Sequence, residues 1–102
     1  MNLTVAFKNI EASDHIRSFA EEKTATLKRF FDGKINVKWT FSNIKESLIA
    51  HCHLVGNHMD YFAEASNQDF RSSIEDAISK IEKQVQKHKE KVKDRLHKAN
   101  QA

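Results

Sequence analysis

INVKWTFSNIKESLIAHCHLVGNHMDYFAEA, residues 35–65, is the stretch that decides the fold. Ile35, Val37, Trp39 and Phe41 alternate with Asn36, Lys38 and Thr40, so they form a strand with one buried face. Ser42 to Glu46 reads as a polar turn. Leu48, Ala50, Cys52 and Leu54 then share one face of a second strand, with Ile49, His51, His53 and Val55 on the other. Gly56-Asn57 reads as the next hairpin turn, because both residues accept positive φ. A third strand, 59–65, places Tyr61, Ala63 and Ala65 together.

On the N-terminal side, Leu3, Val5 and Phe7 alternate with Thr4, Ala6 and Lys8, giving a further strand. Ser13 suits a helix N-cap and Asp14 the positive helix end. Ile16, Phe19, Ala20, Leu27 and Phe30 continue at helical spacing to about Phe31, and Asp32-Gly33 ends the helix. On the C-terminal side, Asn67 or Asp69 can cap a last helix over about 69–98. Its stripe is Phe70, Ile74, Ala77, Ile78, Ile81, Val85 and Val92. The stripe thins after Val85 while basic residues continue, so the last turns are expected to project. The expectation is one domain over 1–102. Its class is α+β: two layers in the order β-α-β-β-β-α, with a four-stranded sheet and two helices on one face.

Composition narrows the function classes. The 102 residues are 39% apolar and 30% charged, with two glycines, one cysteine and no proline. A core can form without disulfides at this length. No apolar run approaches the roughly 18–20 residues of a membrane span, and the N-terminus lacks a signal-peptide layout. A lone Cys52 makes a reducing, cytoplasmic setting the default. No GxxxxGK, GxGxxG, GxSxG or HExxH motif is present, which argues against an enzyme. His51 and His53 share a strand face with His58 nearby, but no further ligand is placed to complete a metal site. Cys52 reads as a small buried residue. No cofactor, metal or small-molecule substrate is expected.

The net charge of +3 conceals an asymmetry. Between Lys80 and Lys98, eight bases face three acids, leaving +5, whereas the remaining chain carries −2. Such a split favours a polyanionic partner. At 100° per residue, Lys80, Lys87, Lys91 and Lys98 fall within an arc of roughly 40° beside the apolar stripe. They form either a solvated helix face or a ridge that tracks phosphates. Lys28 and Arg29 lie on opposite flanks of the first helix, and Lys23 falls inside its apolar stripe. With the helices side by side, Lys23, one of the Lys28/Arg29 pair and the Lys80–Lys91 ridge would form one basic face. The outer sheet face, with Lys38, Thr40, His51 and His53, reads as more neutral. Trp39 and Phe41 point into the core, so structured RNA is favoured over stacked single strands. A membrane surface is disfavoured, because no bulky anchor lies among the lysines.

These elements resemble the ribosome hibernation factors, the family of short hibernation-promoting factor and ribosome-associated inhibitor A (protein Y), also called sigma-54 modulation proteins. IEASD (10–14) resembles the family's I-x-x-T/S-D, and LKRFFD (27–32) its K-L-x-R-F-F-D. AEA (63–65) with DFRSSIE (69–75) resembles A-x-A…D-M-Y-x-A-I-D. KIEKQVQKHKEK (80–91) resembles K-L-x-x-Q-L-x-K-x-K-x-K. The resemblance implies a protein that occupies the mRNA and tRNA channel of the small ribosomal subunit and silences translation in stationary phase or stress. Its motifs carry rRNA contacts onto Arg29, Lys80, Lys87, Lys89 and Lys91; Lys23, Lys28 and Lys83 join them from the basic-face argument. Arg71 stands where the family has Tyr, and Ser79 where it has Asp. Only eleven residues follow Lys91 and they are basic, which favours the short form acting with a separate ribosome modulation factor in ribosome dimerisation. Two other readings stay open: a helix-mediated protein-interaction module and a general double-stranded RNA-binding domain.

Overall fold

Bulky apolar residues on the first two strands and small ones on the last two dictate how the layers meet. The computed structural model describes residues 1–31, 33–56 and 58–100, with side chains described through His88. It contains β1 (Asn2–Lys8), α1 (Asp14–Ala25) continued by a 3₁₀ segment (Thr26–Phe30), β2 (Asn36–Ile44), β3 (Ser47–Gly56), β4 (Met59–Asn67) and α2 (Phe70–Asn100). The sheet order is β1-β2-β3-β4, with β1 parallel to β2 and the other neighbours antiparallel. This is the α+β arrangement expected from the alternation.

The register lays three rows across the inner face: Leu3–Val37–Leu54–Tyr61, Val5–Trp39–Cys52–Ala63 and Phe7–Phe41–Ala50–Ala65. Trp39 stacks on Phe41 at 5.7 Å, and Phe7 and Phe70 pack on the same ring at 5.6 and 5.4 Å. The alanines and Cys52 on β3 and β4 leave room for Ile74, Ala77, Ile78, Ile81 and Val85 of α2, all buried. The Trp39 indole and the Thr24 and Ser73 hydroxyls in this interior are paired, whereas the buried Tyr61 hydroxyl has no hydrogen-bond partner among the described residues. Trp39 Nε1 donates to Thr24 Oγ1 at 2.8 Å, and that hydroxyl donates to the Ala20 carbonyl at 2.5 Å. Ser73 Oγ donates to the Leu48 carbonyl at 2.7 Å, tying α2 to β3. Burial pushes the Cys52 thiol up to about 12.

Both helix starts follow their caps. Ser13 Oγ accepts from the Ile16 amide at 3.3 Å, and Asp69 Oδ1 accepts from the Ser72 amide at 2.8 Å. Asn67 instead donates to the Asp76 carboxylate.

Three boundaries differ from expectation. The α-helix stops at Ala25 rather than about Phe31, because Thr24 and Thr26 turn their hydroxyls back onto the Ala20 and Lys23 carbonyls and the chain tightens into 3₁₀ geometry. Gly33 takes φ +104° but caps neither segment, because the C-caps are Thr26 and Phe31; Asp32 lies outside the described residues. Segment 42–44 belongs to β2, and the turn is only Lys45-Glu46, at φ 48° and 67°. Those values suit a tight hairpin whose twist matches the strands. In the next hairpin, Gly56 is a strand residue paired with Met59, and positive φ falls on His58; Asn57 lies outside the described residues. Glycine matters at 56 for space: a Cβ would sit 3.2 Å from Ile35 Cγ2 and 3.3 Å from Met59 Cε.

Candidate nucleic-acid interface

The apolar stripe of α2 settles onto β3 and β4, and this fixes the direction of every lysine on the helix. Lys80 and Gln84 emerge on the flank above β4, the edge strand. Lys80 Nζ donates to the Glu64 carbonyl at 2.6 Å and Gln84 Nε2 to the Phe62 carbonyl at 2.7 Å. Two outward carbonyls of an edge strand thereby acquire partners, which blunts that edge toward pairing with another chain. One of the three Lys80 donors is committed in this way. Lys83 and Lys87 are exposed and have no ion pair or hydrogen bond among the described residues. Lys89 and Lys91 lie on the helix beyond the last described side chain.

The opposite flank of α2 meets α1. Lys23, Thr26 and Arg29 from the first helical segment and Glu75, Ile78, Ser79 and Glu82 from α2 line the groove between them. Lys23 Nζ lies 3.9 Å from Glu75 Oε1 and 5.4 Å from the centre of the Phe19 ring. Its stem covers apolar surface while its ammonium surfaces in the groove. Arg29 approaches Glu82 at 3.9 Å and packs on the Phe30 ring at 4.8 Å. Helical spacing puts Glu75 and Glu82 on one flank of α2, but it does not reveal their partners on the first helical segment. The groove is formally neutral, with two bases against two acids.

The expected single basic face therefore divides. Arg29 is the member of the Lys28/Arg29 pair that faces α2. Lys28 lies elsewhere, in a depression with Met1, Phe31, Gly33 and Ile35 near the start of β2. Lys80 lies across the crest of α2 from Lys23 and Arg29, because one flank of the helix rests on α1 and the other on β4. Lys87 shares the Lys80 flank, about 20° from it at 100° per residue, and Lys83 lies about 60° from Lys80 toward the outer side. Arg71, a departure from the resembled motif, lies 5.2 Å from the Phe19 ring and 3.3 Å from His15 Nε2. It adds a cation at the opening of the groove that helical periodicity gave no reason to select.

The outer sheet face also needs correction. Trp39 and Phe41 are buried as expected, but Phe62 on the outer face is 53% exposed. The alternation that buries Tyr61 and Ala63 turns Phe62 outward, so the sequence held this signal. Among the described residues, no cluster of three or more His, Cys, Asp or Glu side chains could hold a metal ion, and no helix is long and apolar enough to cross a membrane.

Comparison with known proteins places this architecture. A ribosome hibernation promotion factor from Bacillus subtilis is 32% identical over 96 residues, covering 90% of this chain. The chain spans 50% of that relative's length. A ribosome hibernation promoting factor from Klebsiella oxytoca is 33% identical over 94 residues, covering 91% of this chain and 98% of the relative. The crystal structure of the Thermus thermophilus Protein Y N-terminal domain superposes with a TM-score of 0.80 at 27% identity, over 86% of this chain and 99% of that domain. Residues 3–93, from β1 into α2, match one family along their length, and the chain belongs to it: the Sigma 54 modulation protein / S30EA ribosomal protein family.

Proposed function

We propose that this chain is a ribosome hibernation factor, a non-enzymatic silencer of translation that binds the small ribosomal subunit. The observation that carries the reading is the pair of exposed lysines on α2, Lys83 and Lys87, which have no partner among the described residues, in a chain whose relatives are named for ribosome hibernation. A row of cations on a straight helix suits a phosphate backbone, since each neutralised phosphate releases counterions. Lys80 joins them with its two remaining donors, and Lys89 and Lys91 extend the row along the helix. Lys23 and Arg29 reach phosphates from the groove side, and Lys28 contacts them from the other side of the 3₁₀ segment.

In this reading the domain occupies the channel that mRNA and tRNA anticodon stems use, and steric occlusion silences the ribosome in stationary phase or stress. No substrate is turned over. Val85 is the last buried residue of α2 among the described side chains, and Gln86, Lys87 and His88 after it are exposed, which leaves the basic row open to rRNA. Ribosome dimerisation with a separate modulation factor is the finer extension of the same role, and the setting is cytoplasmic.

Co-sedimentation with purified small subunits over a salt series tests the proposal. Binding should fall steeply with salt, and Lys83→Glu/Lys87→Glu should lower the steepness by about 2 in the log–log slope while circular dichroism stays unchanged. Absence of association at low salt would refute the proposal. Binding to any RNA duplex with equal affinity would favour a general double-stranded RNA binder instead. Salt-insensitive capture of a protein partner requiring Val92 and Leu96 would favour an interaction module.

A further inference from the structure

The sheet face turned away from both helices carries a second constellation. Asp60, Phe62 and Glu64 alternate outward along β4, and the register sets Phe62 opposite His53 and Glu64 opposite His51. The Phe62 ring lies 5.6 Å from the His51 ring and 6.3 Å from the His53 ring, tilted to both. Each imidazole is held from its β4 side: His53 Nε2 is 2.6 Å from Asp60 Oδ1, and His51 Nε2 is 3.4 Å from Glu64 Oε1. The carboxylates thus fix the rings without entering the hollow beside them. Lys8, Lys38, Thr40, His51, His53 and Phe62 line that hollow together with Asn9, Ser42 and the exposed Ile44, and no carboxylate lines it.

We infer that this face is a binding platform for single-stranded RNA, separate from the basic helix surface and independent of the function proposed for it. An exposed aromatic ring on a sheet offers one face to an unstacked base, which a duplex does not present. Lys38 lies two strands from Phe62, roughly 10 Å across the sheet. With the reach of its side chain, that separation suits a base on the ring and a backbone phosphate at the ammonium. Lys8, on β1, extends the cationic side toward the next phosphate. Thr40 and the imidazoles supply hydrogen-bonding groups between ring and lysines. The charge decides against a protein occupant: two lysines in the hollow with no acid among its lining oppose a buried apolar contact, whereas they complement a polyanion.

Fluorescence anisotropy of the full chain with a short labelled oligouridylate at low salt is the test. Wild type should bind, and Phe62→Ala should weaken binding about tenfold, the order expected for loss of one stacked base. Phe62→Trp should preserve affinity. Phe62→Leu should lose it although it keeps an apolar side chain at that position, which separates stacking from any effect on the strand. Lys8→Ala/Lys38→Ala should lower the slope of log affinity against log salt by about 1.4. Lys83→Glu/Lys87→Glu, on the other side of the molecule, should leave the Phe62 dependence intact. A flat titration of the wild type overturns the inference, as a protein occupant would produce. Binding indifferent to both Phe62 and the Lys8/Lys38 pair also overturns it, by assigning the oligonucleotide to the helices.

Discussion

Replacing Glu75 and Glu82 together by glutamine should tighten binding to the small ribosomal subunit while leaving the fold almost unchanged. The two acids face Lys23 and Arg29 across the α1–α2 groove, each at 3.9 Å. Two charges about 4 Å apart attract by about 1 kcal/mol in water and about 4 kcal/mol at an effective dielectric constant near 20. These pairs belong nearer the first limit, since the Arg29 side chain is 70% exposed and that of Glu75 57%. Net values for such exposed pairs are about 0–1 kcal/mol each, so losing both should cost no more than about 2 kcal/mol. The electrostatic consequence outside the protein is larger. The groove changes from formally neutral to +2, and the whole chain from +3 to +5. If Lys23 and Arg29 face phosphates, the salt dependence should steepen by up to about 1.8 in the log–log slope, and affinity should rise severalfold at low salt but little at high salt. Glu11→Gln/Glu46→Gln is the control, because it makes the same change in total charge away from the groove. Subunit binding across a salt series, with thermal melting in parallel, decides the matter. An identical gain from the control pair would show that only net charge counts. An unchanged slope with an intact fold would show that the groove does not face rRNA.

Two further outcomes test the interior. Thr24→Val keeps the side-chain volume but leaves the buried Trp39 Nε1–H without its 2.8 Å acceptor, so urea unfolding followed by circular dichroism should show a loss of about 1–3 kcal/mol. The same change in a Trp39→Phe background should cost clearly less, and equal losses in both backgrounds would refute the pairing. Burial raises the Cys52 pKa from 9.0 to about 12, so the folded chain holds this proton more tightly than the unfolded chain. Its contribution to stability is complete below about pH 9 and is lost as pH rises toward 12, with buried Tyr61 acting in the same direction above about 10. Cys52→Ala should flatten that alkaline loss, and in the wild type a thiol reagent near neutral pH should modify Cys52 only as fast as the protein unfolds.

The strand faces were legible because alternation has a period of two, and one wrong step would have exposed Trp39 and buried Lys38. The capping of α2 was legible as a choice between Asn67 and Asp69, and geometry selected Asp69. The turns were less so. Lys45 and Glu46 adopt positive φ without the Asn-Gly chemistry that normally announces it, so Ser42, Asn43 and Ile44 looked like turn rather than strand. The division of the basic face was not legible for a different reason. A helical wheel gives the angle between Lys80 and Ile78 on α2, but not that one flank rests on β4 and the other on α1. That information is tertiary. Phe62 was legible from the alternation that places Tyr61 inward, because its neighbour on the strand must then face out.

The split arrangement changes what each cation can contribute. Lys83 and Lys87 are exposed and unpartnered among the described residues, so fixing either against a phosphate costs up to about 2 kcal/mol of side-chain entropy. Lys80 is already held by the Glu64 carbonyl, and Lys23 and Arg29 lie against aromatic rings and carboxylates, so much of their ordering cost is met on folding. On a phosphate surface the preordered group would nevertheless lose some binding drive, because Lys23 and Arg29 would exchange a carboxylate for a phosphate. The free lysines should therefore dominate the salt dependence and the rate of encounter, as long-range charge does. The held cations should matter more for orientation, and their removal should show in dissociation rates. If these cations face rRNA, a chain carrying only +3 gains selectivity in this way: attraction comes from a few exposed lysines, and its use is restricted by cations whose positions the fold has already fixed.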